Sequence, residues 1–254
     1  THQTIMKTMG DTHMDIIIDK LSRKFGVDVI TKEMRIPYRE TIKATVEVEG
    51  KHKKQSGGHG QYGHVWIKFE PNDEEDFKFE ENVFGGSVPR NYFPAVEKGL
   101  MEALDEGVLA GYPVTRIKAT LYDGSYHSVD SSEMAFKMAA KLAFKKGVET
   151  AKPVLLEPIV NVEVEIPDAY MGDIIGDLNS KRGRVMGMEP AGKKQIVKAQ
   201  APLAEMSRYT IDLKSITQGR GKFRMEMDHY EEVPAQDAEK IIAKARQEKE
   251  EKDK

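Results

Sequence analysis

From Leu156 onward the apolar pattern of this chain changes period in an order that few folds can accommodate. Alternation over residues 159–166 predicts a strand, helical spacing over 169–181 a helix, residues 184–189 and 195–201 two strands, 203–216 a second helix and 221–228 a last strand. Pro167, Asn179, Gly183, Pro190, Gly192, Pro202 and Gly219 fall between these elements, where their turn chemistry belongs. The resulting β-α-β-β-α-β order is that of a ferredoxin-like domain.

With 254 residues the chain is too long for that domain alone. Upstream, residues 41–49, 64–70, 77–83 and 114–122 read as strands, and 94–106 and 131–149 as helices. Strands and helices are segregated rather than strictly alternating, which makes the class α+β. The second of these helices is expected to start on a capping box of Asp130 and Glu133, with Lys137, Lys141 and Lys145 along its polar side. At the N-terminus, a strand ending at Gly10, a helix marked by Met14, Ile17, Ile18, Leu21 and Phe25, and a strand over 27–30 are too few elements for a domain. The pattern resets at Pro37, and after Pro234 a last helix is expected to fray into a Glu/Lys-rich end. The expected divisions are 1–34, 35–155, 156–232 and 233–254.

Hydrophobic content of 39% with 32% charged residues suits folded domains with cores. The absence of cysteine excludes disulfides, thiolate metal sites and a cysteine nucleophile, and with no apolar run or secretory signal a cytoplasmic protein is expected. A net charge of -3 denies the overall basic footprint of a free DNA-binding domain, so contact with nucleic acid must come from local patches.

Residues 58–63 spell GxGxxG, yet Val65, Ile67 and Phe69 alternate with Trp66, Lys68 and Glu70 directly afterwards. A dinucleotide fingerprint needs a helix there, so a hairpin loop whose glycines permit positive φ is the expectation, and an NAD-linked enzyme is the remote alternative. Lys51, His52, Lys53, Lys54 and Gln55 lead into this loop and place cations beside backbone that can approach a phosphate chain. Asp123, Gly124, Ser125, Tyr126 and His127 form a second polar, aromatic loop. Two further basic clusters lie on connections: Lys181, Arg182 and Arg184, then Arg220, Lys222 and Arg224. GxxxxGK[ST], GxSxG and HExxH motifs are all missing, and His59 with His64 lacks a third metal ligand. No catalytic residue, metal site or cofactor is assigned to the chain.

Several long stretches resemble translation elongation factor G. Residues 10–17 (GDTHMDII) look like a segment of its third domain, and Pro37 to Thr41 (PYRET) like the start of its fourth. Ser56, Gly57, Gly58, His59, Gly60, Gln61, Tyr62 and Gly63 match one tip loop of that fourth domain, and residues 121–134 (LYDGSYHSVDSSEM) its second tip region. Residues 171–190, PLAEM from Pro202, TQGRG from Thr217 and DHYEEVP from Asp228 match domain V and its end. The resemblance implies part of a ferredoxin-like domain III, a domain IV like the second domain of ribosomal protein S5, a ferredoxin-like domain V and a C-terminal helix packed on domain IV. It further implies a monomeric, ribosome-binding half of a translational GTPase that promotes tRNA–mRNA translocation. Domain IV would enter the decoding region with His127, Ser125 and Tyr126 at its tip, and domain V would face the large-subunit factor site through Lys181, Arg182, Arg184, Arg220 and Lys222. The implied partners are ribosomal RNA and proteins, tRNA, mRNA and the protein's own N-terminal GTPase domains, where GTP and Mg would bind; no membrane is involved. His59 stands where many main elongation factors carry arginine, which leaves a paralogue for recycling or ribosome protection, or a ribosome-binding module without a GTPase, as alternatives.

Overall fold

In a computed structural model, which describes all residues except 1, 2, 7, 9, 56–59, 253 and 254, the chain divides into two units. One comprises Thr1–Pro37 and Glu157–Glu231, the other Tyr38–Leu156 and Glu232–Lys254. Among the described residues no helix is long and apolar enough to cross a membrane.

Helix α1 (Asp11–Phe25) follows the predicted periodicity and stops at Gly26, whose φ of 64° lets its N–H reach Ser22 O at 2.9 Å while Val27 N–H reaches Leu21 O at 3.2 Å. Among the described residues the strands expected before Gly10 and over 27–30 do not form. Among the described residues neither stretch has a strand beside it, and an extended segment without a ladder partner has nowhere to place its backbone bonds. Phe25, Val27 and Ile30 accordingly stay exposed, Ile30 at 88%.

In the second unit, β1 (Arg39–Ile42) and β2 (Val46–Lys54) replace the single expected strand. The break comes where Lys43 and Ala44 turn their N–H groups to Ala151 O, at 3.1 and 3.0 Å. With β3 (Gln61–Pro71), β4 (Phe77–Glu81) and β5 (Ile117–Ser125), β2 makes a four-stranded sheet in the order β2-β3-β5-β4, antiparallel except for β4 beside β5. Helix α2 (Phe93–Glu106) provides the crossover that the parallel β4–β5 pair requires, and α3 (Glu133–Thr150) lies beside it. The core between sheet and helices contains Val65, Ile67 and Phe69 of β3, Ile117, Ala119 and Leu121 of β5, and Val96, Leu100, Phe136 and Phe144 of the helices.

Helix α3 turns an alanine face to the sheet, with Ala135, Ala139 and Ala143 fully buried. The strands answer with glycine: a Cβ on Gly50 would lie 2.2 Å from Ala139 O, and one on Gly63 2.3 Å from Ala135 O. The helix backbone therefore rests almost directly on β2 and β3. Its start differs from expectation, because Ser132, not Asp130, is the N-cap and accepts from Ala135 N–H at 3.2 Å, while Glu133 occupies the first helical position. Lys137 and Lys141 reach across to α2, both meeting Glu102 (2.5 and 3.0 Å) and Lys141 also Glu106 (3.0 Å).

The start of this unit hangs on Glu40, whose side chain is wholly buried. One carboxylate oxygen accepts from Val108 and Leu109 N–H at 2.7 and 2.8 Å, the other from Ala110 and Tyr112 N–H at 2.7 and 3.0 Å. The loop after α2 thus wraps its amide groups around a single anion. Glu40 also bonds this region through its backbone, to Pro113 O and Thr115 N, both at 2.9 Å. Its neighbours add contacts of their own, Tyr38 edge-on to Tyr112 and Arg39 to Asp76.

The first unit contains β6 (Pro153–Pro167), which starts in the other unit beside β1, then α4 (Met171–Ser180), β7 (Arg184–Ala191), β8 (Lys194–Pro202), α5 (Tyr209–Thr217) and β9 (Lys222–Glu232). The strands stand in the order β9-β6-β8-β7. Val160, Val162, Val164 and Ile166 of β6 meet Ile174 and Leu178 of α4 and Tyr209 and Leu213 of α5, while the intervening residues carry cross-strand ion pairs such as Arg224–Glu163 at 3.0 Å. Helix α6 (Ala235–Lys252) ends the chain and belongs to the second unit.

Two substitutions test these supports. Glu40→Gln keeps the shape but leaves N–H donors facing an amide, and is expected to lower the unfolding free energy of its unit by about 3–5 kcal/mol. Trp66, the single tryptophan and a residue of β3, reports this in urea titrations by fluorescence; unchanged stability would contradict the role given to Glu40. Gly63→Ala forces α3 off the sheet and should cost about 1–3 kcal/mol in the same assay.

Candidate nucleic-acid interface

The described parts of both sequence-predicted loops lie at one end of the four-stranded sheet. Of the first, Ser56, Gly57, Gly58 and His59 fall outside the described residues. The remainder is strand rather than open loop: Gln61, Tyr62 and Gly63 open β3, and neither Gly60 nor Gly63 has a positive φ. The helix that a dinucleotide fingerprint demands is therefore absent after the glycines, and Gly63 is explained by its contact with α3.

The second loop is clamped to the start of β3. Tyr62 N–H donates to Asp130 O at 2.8 Å, Ser131 Oγ to Tyr62 O at 2.9 Å, and Gly60 N–H to Asp130 Oδ1 at 3.0 Å. Asp130, expected as a helix cap, works instead as the pin between the two loops. Ser125 Oγ lies 2.7 Å from both Tyr62 Oη and His64 Nδ1, and the Tyr62 ring is 6.4 Å from that of His127. Lys51 Nζ stands 5.9 Å from the Tyr62 ring, and His52 Nε2 is 2.8 Å from Gln61 Oε1. Gln61, Tyr62, Ser125 and His127 are thus drawn into one patch. The Asp123 carboxyl is held below its ordinary range, first of all by the Gly124 N–H.

His127 is oriented by backbone. Its N–H donates to Ser131 Oγ at 2.9 Å, and its Nδ1 accepts from Val129 and Asp130 N–H at 3.3 and 3.2 Å, nearer than the Asp130 carboxylate at 3.4 Å. In the neutral ring this places the proton on Nε2, leaving a donor on a side chain that is 54% exposed. Tyr126 is exposed to a similar degree. Together they offer a hydrogen-bond donor and an aromatic face, the groups that contact unpaired or looped RNA.

The basic residues of the other unit are distributed differently. Lys181 sits between Asp177 and Asp212 at 2.8 and 3.0 Å. Arg182, at a left-handed φ of 56°, forks onto buried Glu157 at 2.6 and 2.9 Å and meets Glu205 at 3.1 Å. These two cations hold the turn after α4 in place. Arg184 pairs with Glu231, whereas Arg220 lies over the Tyr170 ring at 4.9 Å, and Lys222 opens β9. Arg220 and Tyr170 form a stacked cation and ring, suited to phosphate or base contact.

Comparison with known families then supplies what geometry leaves open. Residues 34–152 match the profile of elongation factor G domain IV, residues 154–241 that of the elongation factor G C-terminus, and residues 1–33 that of domain III. The chain belongs to the elongation factor G family. A solved protein from Thermus thermophilus shares 46% identity with it over 94% of this chain, at a TM-score of 0.84. The chain spans 36% of the length of that protein. The mixed α/β architecture is that of elongation factor G domains III to V, and the chain is translation elongation factor-like.

Within this elongation factor G fold, sequence reasoning missed His64 and the Asp228, His229 and Glu231 group. Alternation puts His64 on the outward face of β3, but only the register across strands brings Ser125 opposite it. On β9, Glu231 and Asp228 accept from the His229 ring at 2.9 and 2.6 Å and Arg184 holds Glu231 in turn. Glu231 first, then Asp228, raises the His229 pKa, while Arg184 lowers that of Glu231 and His229 that of Asp228. A raised histidine pKa means that the folded state favours the imidazolium. Its stabilisation is full below the usual histidine range and lost as pH rises through the raised value. The two carboxylates act oppositely, losing theirs as pH falls into the acid range. The stability advantage of wild type over His229→Gln is therefore expected to be larger near about pH 6 than near about pH 8.5 in urea unfolding followed by circular dichroism; a gap independent of pH would contradict it.

Proposed function

We propose that this chain is the ribosome-facing part of a GTPase that promotes tRNA–mRNA translocation, acting as a monomer in the cytoplasm. The supporting observation is the clamped tip of the second unit, where a backbone-oriented His127 and exposed Tyr126 project from a loop pinned to β3. Such a tip offers donors and an aromatic face without a base-reading helix, so it suits a folded RNA groove contacted by shape. In this reading domain IV enters the decoding region and meets tRNA and mRNA. The C-terminal unit faces the large-subunit factor site through Arg220, Lys222 and Arg184, with Lys181 and Arg182 shaping the turn beside them. GTP and Mg would bind in N-terminal GTPase domains, and the chain itself uses no cofactor.

Chemical footprinting of ribosomal RNA with excess chain at low salt tests this directly. Protection is expected at both the decoding region and the large-subunit factor site. With few phosphate contacts available, affinity should fall about tenfold between about 50 and about 200 mM salt. His127→Ala, which removes an exposed ring, should leave unfolding midpoints unchanged yet weaken protection at the decoding region alone. Co-sedimentation without protection at either site would overturn the assignment.

A further inference from the structure

The Ser125 hydroxyl is the last side chain of β5 before Tyr126 and His127, and it stands where two other side chains compete for it. Tyr62 Oη and His64 Nδ1 each lie 2.7 Å away. His64 is only 14% exposed, and its Nε2 is 2.9 Å from Glu49 Oε1 on β2, close but without hydrogen-bonding alignment. Lys51 stands opposite His64 in the β2–β3 register, and Asp123 on β5 lies near enough for the His64 charge to act on its carboxyl. Among the described residues, Glu49, Lys51, Tyr62 and Asp123 are the ionisable groups around the ring from the strands beside it.

A hydroxyl has one proton to donate. With His64 neutral and its proton on Nε2 toward Glu49, Nδ1 accepts from Ser125, and Ser125 accepts from Tyr62. The direction runs from Tyr62 through Ser125 to His64. A protonated His64 carries N–H on both sides, so Ser125 accepts from Nδ1, which frees its own proton to turn toward Tyr62 Oη and reverse that bond. Tyr62 is also the residue whose backbone holds Asp130 and Ser131, so both ends of the 126–131 loop meet this hydrogen-bonded chain.

We propose that His64 is a positioning residue for the tip loop: through Ser125 and Tyr62 its protonation state sets how Tyr126 and His127 are presented. The functional weight of this inference rests on the tip reading above, whereas the geometry stands apart from it.

Amide and imidazole NMR of the whole chain, titrated from about pH 5 to about pH 8.5 in a His127→Gln background, reads the coupling without the loop's own histidine. The amide of Tyr126 and the Tyr62 ring signals are expected to move with the midpoint of the assigned His64 imidazole. Ser125→Ala should leave His64 titrating while Tyr126 no longer follows, and His64→Gln should abolish the transition with shifts in residues 157–231 unchanged. Tyr126 signals that ignore the His64 midpoint, or that follow it unaltered in Ser125→Ala, would overturn the proposal. The footprint of the unaltered chain separates the two readings. Decoding-region protection without coupling removes the His64 role and keeps the tip function; coupling without protection keeps the positioning role and removes that function.

Discussion

A buried carboxylate bound by four amide groups is the constraint on which the larger unit depends. Glu40 is sealed from water, and its two oxygens are satisfied by the loop 108–112. An isolated buried anion is costly, and amides aimed at it supply the compensation that solvent would have given. The arrangement joins the first strand of the unit to the end of α2 and the approach to β5. It also gives a physical meaning to the Tyr38, Arg39, Glu40 and Thr41 run: one ring against Tyr112, one guanidinium toward Asp76, one anion in the amide cradle and one buried strand residue.

From that anchor the unit is built by close approach. Alanine on α3 and glycine on β2 and β3 remove the layer of side chains that ordinarily separates helix from sheet. The start of α3 is thereby carried close to the start of β3, and the clamp between residues 60–62 and 130–131 spans what gap remains. The packing that stabilises the core and the geometry that shapes the tip are consequences of the same small residues.

Much of this was legible in the sequence. The order of strands and helices from residue 36 onward follows from period changes, because each element has a partner to complete its pattern. The N-terminal stretch misleads for the complementary reason: alternation in residues 27–30 reports a preference that only a neighbouring strand could realise. Asp130 and Glu133 have capping-box spacing, yet Ser132 wins because Asp130 is drawn to Gly60 and Tyr62, a contact between residues seventy apart in the chain. The GHGQYG run shows the same limit, since its last glycine is dictated by a helix that begins far downstream. Of the candidate site, exposure of His127 and Tyr126 could be read from the polar loop. Beyond the local pair of Lys181 with Asp177, the internal engagement of Lys181 and Arg182 could not, because Asp212, Glu157 and Glu205 lie on other elements.

The clamp at the tip has a bearing on how such a loop can change over generations. Its central bond, Tyr62 N–H to Asp130 O, is made between backbone atoms, so it is blind to the side chains of the residues between Ser125 and Asp130. Apart from His127, whose ring accepts from the Val129 and Asp130 N–H groups, substitution there is open to selection at little structural risk. Insertion or deletion is not, since one residue more or fewer would move Asp130 and Ser131 off Gly60 and Tyr62 and carry the start of α3 with them. Lineages that share this fold should therefore explore the tip by exchanging its chemistry while holding its length constant.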